Sequence, residues 1–77
     1  MERQLVEYIV KSLVDNPDAV QIDEVREGDT TVLKLRVGEG DIGKVIGKQG
    51  RIAKAIRTIL SASVTEDGTH ATLEILD

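Results

Sequence analysis

A pair of glycines interrupts a helical pattern in the middle of this chain. The sequence Gly-Lys-Gln-Gly at residues 47–50 lies between the apolar pair Val45-Ile46 and a stretch that carries isoleucine at helical spacing. Glycine has no Cβ atom, so its backbone N–H groups can come close to a bulky ligand. A helix that begins at the second glycine directs its unpaired N–H groups and its positive dipole end toward the same place. The pattern therefore predicts two helices joined by a short loop that suits a sugar-phosphate backbone.

Length and composition limit the chain to one small domain with an aliphatic core. The 77 residues include one tyrosine and no Phe or Trp, and we expect a single domain over residues 1–77. The sequence contains no cysteine, which excludes disulfides and thiolate metal sites. It has no stretch of membrane-spanning length and no signal-peptide pattern. We therefore expect a soluble, cytoplasmic protein that does not associate with membranes.

The charges are segregated along the chain, although the net charge is −4. Residues 42–65 contain five basic residues and no acid, so this segment carries +5, and the remainder of the chain carries −9. A block of one sign sets the local potential whatever the total charge is. The glycine loop lies inside the positive block, which favours an anionic ligand at that loop.

The first part of the chain has the pattern of an amphipathic helix. Apolar residues in positions 3–15 are spaced alternately one and three apart, as on one face of a helix. Asn16-Pro17 ends this helix, because the residue before a proline is pushed out of the helical region. Tyr8 lies near the apolar stripe, where we expect it to pack at the edge of the core.

A β-hairpin is predicted after this helix. Residues 20–25 alternate in polarity until Val25 falls out of phase, which indicates a strand with a bulge or bend. Residues 27–30 form a turn signal, and residues 32–37 alternate cleanly. The two strands are expected to pair in antiparallel fashion.

The second half of the chain predicts two helices and a final strand. Asp41 is expected to cap a short helix over residues 42–46, the longer helix runs from about residue 51 to residue 61, and a strand covers residues 71–75. The order α-β-β-α-α-β predicts an α+β fold in which helices pack on one face of a three-stranded sheet. The helical residues expected to point inward are Ile42, Val45, Ile46, Ile52, Ile56, Ile59 and Leu60.

Two nucleotide-binding patterns overlap just before the loop, and neither is supported. Residues 38–43 match G-x-G-x-x-G, but Glu39 and Asp41 would face a pyrophosphate, and the chain is too short for a dinucleotide-binding fold. The same stretch matches G-x-x-x-x-G-K, but Val45 stands where a magnesium-binding hydroxyl is required. A nucleotide-binding enzyme is therefore disfavoured. Gly38 and Gly40 are interpreted as a flexible joint.

The longer pattern around the loop resembles a known family. Residues 45–56, Val-Ile-Gly-Lys-Gln-Gly-Arg-Ile-Ala-Lys-Ala-Ile, resemble the signature of the KH domain, an RNA-binding module whose GXXG loop holds about four nucleotides. The predicted element order is similar to that of the type II, bacterial KH domain over essentially the whole chain. Asn16-Pro17-Asp18 after the first helix and Asp41-Ile42-Gly43-Lys44 before the loop look like the KhpA family of small, single-KH-domain proteins.

The resemblance implies that the loop binds single-stranded RNA. Gly47 and Gly50 would admit phosphates to the backbone, and we expect a Cβ at either position to impair this approach rather than the fold. Lys34 and Arg36 are expected to form the opposite wall of the binding groove. Because no aromatic residue lies near the loop, binding is expected to be weak and salt-sensitive. The complete set of expected RNA-contacting residues is Lys44, Ile46, Gly47, Lys48, Gln49, Gly50, Arg51 and Lys54.

Within this set the residue types indicate different roles. Lys48 is the cation of the loop and Gln49 offers an amide, while Lys44, Arg51 and Lys54 extend the positive rim. Ile46 is expected to border the groove in which the bases lie.

The resemblance also implies a cellular role and partners. It implies an RNA chaperone or post-transcriptional regulator linked to cell-wall homeostasis and cell shape, with self-association and a second KH-containing protein, KhpB-like, as partner. The alternative is a protein-interaction or dimerisation module with a degenerate KH fold and little RNA binding. His70, the only histidine, has no evident carboxylate or serine partner. We therefore expect no catalysis, no metal and no cofactor.

Overall fold

The fold follows the predicted order of helices and strands. The computed structural model describes residues 2–62, 68 and 70–76. Short 3₁₀ turns occupy residues 17–19 and 48–50. The main elements are α1 (Glu2–Leu13), β1 (Gln21–Glu27), β2 (Thr30–Arg36), α2 (Ile42–Ile46), α3 (Arg51–Ala62) and β3 (His70–Ile75).

The amphipathic pattern of α1 buries a narrower stripe than the sequence suggests. Val6 and Val10 are fully buried, and Val14 continues the same row just beyond the end of the helix. Leu5 remains 43% exposed and Tyr8 73% exposed. The expectation that Tyr8 packs at the edge of the core is therefore wrong. Only the row that contains Val6 and Val10 is fully buried.

The end of α1 is held by an acid from a distant part of the chain. Beyond Leu13 the chain turns into the 3₁₀ turn that Pro17 begins. The carboxylate of Asp41 accepts hydrogen bonds from the backbone N–H groups of Asp15 (3.2 Å) and Asn16 (3.1 Å). Asp41 is the N-cap residue of α2, as predicted, but its side chain makes no capping hydrogen bond to that helix. Its carboxylate instead satisfies backbone donors where α1 has ended.

The sheet has the order β1-β2-β3 and mixes both strand directions. β1 and β2 pair in antiparallel fashion without interruption, from Gln21 opposite Arg36 to Glu27 opposite Thr30. The predicted bulge is therefore absent. Val25 is out of phase because it lies on the sheet face opposite to the core. β3 pairs with β2 in parallel, which is possible because α2 and α3 supply the crossover.

The core lies between the helices and one face of the sheet, and it is aliphatic. Leu33 and Leu35 of β2 are almost completely buried, together with Val45 of α2 and Leu60 of α3. Ile59 remains 45% exposed, so the expectation that it points inward is wrong. The arrangement confirms the predicted α+β fold with helices on one face of a three-stranded sheet.

Candidate nucleic-acid interface

The helices α2 and α3 are joined by the short loop that the sequence predicts. Gly47 and the 3₁₀ turn at residues 48–50 are the only residues between them. The N–H group of Gly47 donates to the carbonyl of Gly43 over 2.9 Å, which closes the last turn of α2. Lys48 and Gln49 are exposed at the tip of the loop. The loop therefore presents a cation and an amide side by side to solvent.

Gly47 is required by the fold itself. Its backbone has φ 77° and ψ 176°, a region that is essentially restricted to glycine. A Cβ at this position would lie 2.6 Å from Cγ1 of Ile52. The expectation that a Cβ would spare the fold is therefore wrong for Gly47. Gly50 also has a positive φ of 73°, but the space around its Cα is open.

The tip of the loop holds a residue in the left-handed conformation. Gln49 has φ 57° and ψ 26°, and it is the only non-glycine residue with positive φ in the described part of the chain. Its Oε1 accepts a long hydrogen bond of 3.5 Å from Nη2 of Arg51. A conformation of this kind costs about 1–3 kcal/mol and persists only where the surroundings impose it. The loop therefore has a defined, slightly strained shape.

Lys44 lies among acids rather than on an open positive rim. Its Nζ forms an ion pair and hydrogen bond with the carboxylate of Asp15, and it lies 3.6 Å from Oδ1 of Asp41. The hydrogen bond to Asp15 is the main cause that raises the pKa of Lys44, outweighing a desolvation that lowers it. We call Asp15, Asp41 and Lys44 the hinge cluster, because it joins the end of α1 to α2. The charge of Lys44 is largely compensated there.

Asp41 is the buried member of the hinge cluster. Desolvation by burial raises its pKa, but the N–H groups of Asp15 and Asn16, followed by the charge of Lys44, outweigh this effect and leave the pKa lowered. Asp41 is only 3% exposed, and its carboxylate accepts two backbone hydrogen bonds. Asp41 is therefore ionised in the folded protein.

A stripe of cations continues from the loop along α3. Arg51, Lys54 and Arg57 are exposed and three residues apart, so they lie along one side of the helix. Nε of Arg57 donates to the carbonyl of Leu73 in β3 over 3.2 Å. Part of the hydrogen-bonding capacity of Arg57 therefore serves the fold, whereas Arg51 and Lys54 leave their charges at the surface.

An apolar groove of about 440 Å³ lies beside α2. Ile42 and Ile46 line it from the helix, and Val37 and Leu76 line it from the ends of the sheet. The expectation that both isoleucines point into the core is wrong: Ile42 is half-buried, and Ile46 is 36% exposed. Only their neighbour Val45 is in the core. A groove of this volume is typical of ligand sites.

Lys34 and Arg36 do not form the opposite wall of this groove. They alternate along β2 with Leu33 and Leu35, which face the helices, so they lie on the other face of the sheet. The wall is formed instead by residues 37–40 and by Leu76.

The sequence pattern had indicated a flexible joint where the structure has an ordered turn. The N–H group of Asp41 donates to the carbonyl of Gly38 over 3.0 Å, and Gly40 has a φ of 86°. These are features of a β-turn with glycine at its third position. The turn brings Glu39 to the edge of the groove, a position that the sequence analysis missed. The spacing Gly-x-Gly-Asp was the signal that pointed to a turn.

Other kinds of site find no support in the described part of the chain. No group of three or more His, Asp or Glu side chains is arranged to hold a metal ion within residues 2–62, 68 and 70–76. Among the same residues no helix is long and apolar enough to cross a membrane.

A GXXG loop between two helices, set beside an apolar groove in an α-β-β-α-α-β fold, defines a KH domain. The family model described as "KhpA/KhpB, KH domain" matches residues 3–75. The chain therefore belongs to the KhpA/KhpB family of KH domains. These domains are binding modules, which confirms the expectation that the chain is not an enzyme.

Curated relatives resemble the chain over almost its full length. It is 49% identical over 76 residues to the RNA-binding protein KhpA of Borreliella burgdorferi, covering 99% of this chain and 93% of that protein. It is 51% identical over 74 residues to the RNA-binding protein KhpA of Clostridium acetobutylicum, covering 96% and 99%. For the RNA-binding protein KhpA of Aquifex aeolicus the identity is 49% over 75 residues, covering 97% and 95%. No solved structure is a significant match to the chain.

Proposed function

We propose that this protein binds single-stranded RNA, holding the sugar-phosphate backbone at the GXXG loop and the bases in the apolar groove. The observation that carries the proposal is the exposed Lys48-Gln49 tip between two glycines of positive φ, next to a groove lined by Ile42 and Ile46. Relatives at about half identity carry the name RNA-binding protein KhpA. The site acts by binding alone, because the chemistry required is charge compensation and burial of bases.

The contacts divide between backbone and side chains. Gly47 and Gly50 admit a phosphate to the loop, where the first N–H groups of α3 also point. Lys48, Arg51 and Lys54 supply exposed charge, Gln49 supplies an amide, and Ile46 contacts bases from the groove. Lys44 contributes less than the other cations because Asp15 and Asp41 compensate its charge.

The interface has three exposed cations and no aromatic platform, which favours weak binding of RNA. Single-strand binders that stack bases on aromatic side chains gain about 1–3 kcal/mol per base, a contribution that this interface lacks. A weak grip suits a protein that releases RNA readily, so we propose an RNA chaperone or post-transcriptional regulator in the cytoplasm, linked to cell-wall homeostasis and cell shape. A second KH-containing protein of the KhpB kind, or a second copy of this chain, would add affinity through multivalency.

The experiment that tests the proposal reverses charge at the loop tip. Lys48→Asp with Gln49→Asp should reduce the affinity for a labelled single-stranded RNA by more than about tenfold, because it replaces phosphate attraction with repulsion. Aspartate tolerates the left-handed conformation at position 49, so the fold should be kept. The matched control is Gln4→Asp with Lys11→Asp on α1, which makes the same change in net charge.

The result separates RNA binding from the competing function. Circular dichroism should show both double variants folded, and the control should bind RNA within about threefold of the original protein. Equal RNA binding by the loop variant and the control would favour the alternative of a protein-interaction module. The exposed side chains of Leu5, Tyr8 and Ile59 favour that alternative, since they offer apolar surface for another protein.

A further inference from the structure

Glu39 is the one charged residue among those that line the apolar groove. The other lining residues are Val37, Gly38, Gly40, Ile42, Ile46 and Leu76. A carboxylate next to an RNA site repels phosphates, so its position at the rim opposes entry of the RNA backbone into the groove. The same carboxylate accepts hydrogen bonds from groups that carry N–H donors. A groove with this lining would admit the base of a nucleotide more readily than its phosphate.

The turn that carries Glu39 is fixed at both ends. Before it, a Cβ on Gly38 would lie 3.2 Å from the Cβ of Ala19, so the backbone packs closely against the segment after α1. After it, the N–H group of Asp41 donates to the carbonyl of Gly38, and the Asp41 carboxylate is bound by the N–H groups of Asp15 and Asn16. The backbone on both sides of Glu39 is thus held in place.

The carboxylate of Glu39 is available to a ligand. It is exposed, and it makes no hydrogen bond or ion pair with the described residues 2–62, 68 and 70–76. A fixed backbone with an unengaged acceptor lowers the entropic cost of forming a new hydrogen bond. The two carboxylate oxygens can accept two parallel N–H bonds from one partner.

We infer that Glu39 reads a guanine base in the groove, accepting hydrogen bonds from its N1–H and N2–H groups. Guanine alone presents two adjacent donors on its Watson–Crick edge, and unpaired RNA leaves that edge accessible. Adenine, cytosine and uracil each offer one donor there beside an acceptor that the carboxylate repels. This inference rests on the proposed function, because it requires RNA in the groove.

The test measures base preference with four labelled RNA octamers. Each is uridine throughout except for one central position that is G, A, C or U, and dissociation constants are measured by fluorescence anisotropy. The original protein should bind the G octamer about tenfold more tightly than the other three. Glu39→Gln should reduce this preference below about threefold by lowering the affinity for the G octamer. The reason is that the amide offers one acceptor oxygen in place of two. Asp23→Asn is the control, since it removes one exposed acid from β1 and should keep the preference.

Each outcome decides the matter. Persistence of the guanine preference in Glu39→Gln, or equal binding of all four octamers by the original protein, would overturn the role of Glu39. If Glu39→Gln binds all four octamers more tightly by the same factor, and Asp23→Asn does so too, Glu39 acts only as a charge that repels RNA. If the original protein binds no octamer more tightly than the Lys48→Asp, Gln49→Asp variant does, the proposed function itself has failed.

Discussion

Ile52 occupies the space that any side chain at position 47 would need, because a Cβ on Gly47 would come within 2.6 Å of its Cγ1. The first turn of α3 therefore packs directly against the loop that precedes it. The shape of the loop and the position of α3 are coupled through this one contact, so a change at Gly47 acts on both.

Gly47→Ala should destabilise the protein more than Gly50→Ala. Both glycines have positive φ, but only position 47 adds a steric overlap. We expect a loss of about 3 kcal/mol in the free energy of unfolding for Gly47→Ala and about 1–2 kcal/mol for Gly50→Ala. Urea unfolding of the two variants measures the difference. Adding Ile52→Ala to Gly47→Ala should cost less than the sum of the two single losses, and strict additivity would contradict the overlap.

Val45→Ala and Ile46→Ala should separate stability from binding. Val45 is fully buried, so its truncation should cost about 2 kcal/mol of unfolding free energy and leave RNA affinity nearly unchanged in the folded protein. Ile46 lines the groove and is 36% exposed, so its truncation should weaken RNA binding with a smaller loss of stability. Thermal unfolding and RNA titration of both variants give the comparison. An Ile46→Ala protein that binds RNA normally would remove the groove from the proposed site.

The salt dependence of RNA binding should distinguish the cations. If Lys48, Arg51 and Lys54 each neutralise one phosphate, the logarithm of the binding constant should fall against the logarithm of salt concentration with a slope of about −2. Lys54→Gln should make this slope shallower by about 0.7. Lys44→Gln should change it less, because Asp15 and Asp41 already compensate that charge. Equal changes for the two variants would mean that Lys44 contacts phosphate after all.

The hinge cluster should make stability fall at both extremes of pH. The pKa of Asp41 is lowered in the folded state, so its contribution is fully present above its ordinary value of 3.8 and is lost as pH falls through the folded pKa. The pKa of Lys44 is raised, so its contribution is present below its ordinary value of 10.5 and is lost as pH rises through the folded pKa. Melting temperatures of the original protein and of Asp41→Asn, measured from pH 2 upward, test the acid side.

Asp41→Asn should melt at a lower temperature near neutral pH, and its melting temperature should depend less on pH below about 4. Lys44→Gln provides the corresponding test at alkaline pH. There its melting temperature should fall less steeply with rising pH than that of the original protein. Curves that run parallel to the original at both extremes would show that the cluster contributes nothing through its charges.

Much of the fold could be predicted from local patterns. Helix α2 begins and ends where the pattern of residues 42–46 places it, and α3 agrees with its predicted range within about one residue. These signals are local, because helical spacing and glycine act within a few residues of where they occur. The charge pattern likewise located the cations of α3 without knowledge of the fold.

What the sequence patterns did not predict are contacts that depend on how the chain is arranged in three dimensions. Asp41 has the sequence pattern of a helix cap, but its carboxylate bonds to backbone N–H groups about 25 residues earlier. The clash between a Cβ on Gly47 and the Ile52 side chain could not be predicted, because it depends on the direction in which α3 leaves the loop. Val25 suggested a bulge because its neighbours across the sheet were unknown.

The sequence by itself determined the order of elements, the aliphatic character of the core and the acid-free segment around the GXXG loop. Each follows from residue type and spacing along the chain. Only the tertiary structure decided that Lys44 is compensated by Asp15, that Ile46 lines a groove while Val45 enters the core, and that Glu39 stands at the rim. The reason is physical: charge compensation and burial depend on distances between atoms that the chain brings together only when it folds.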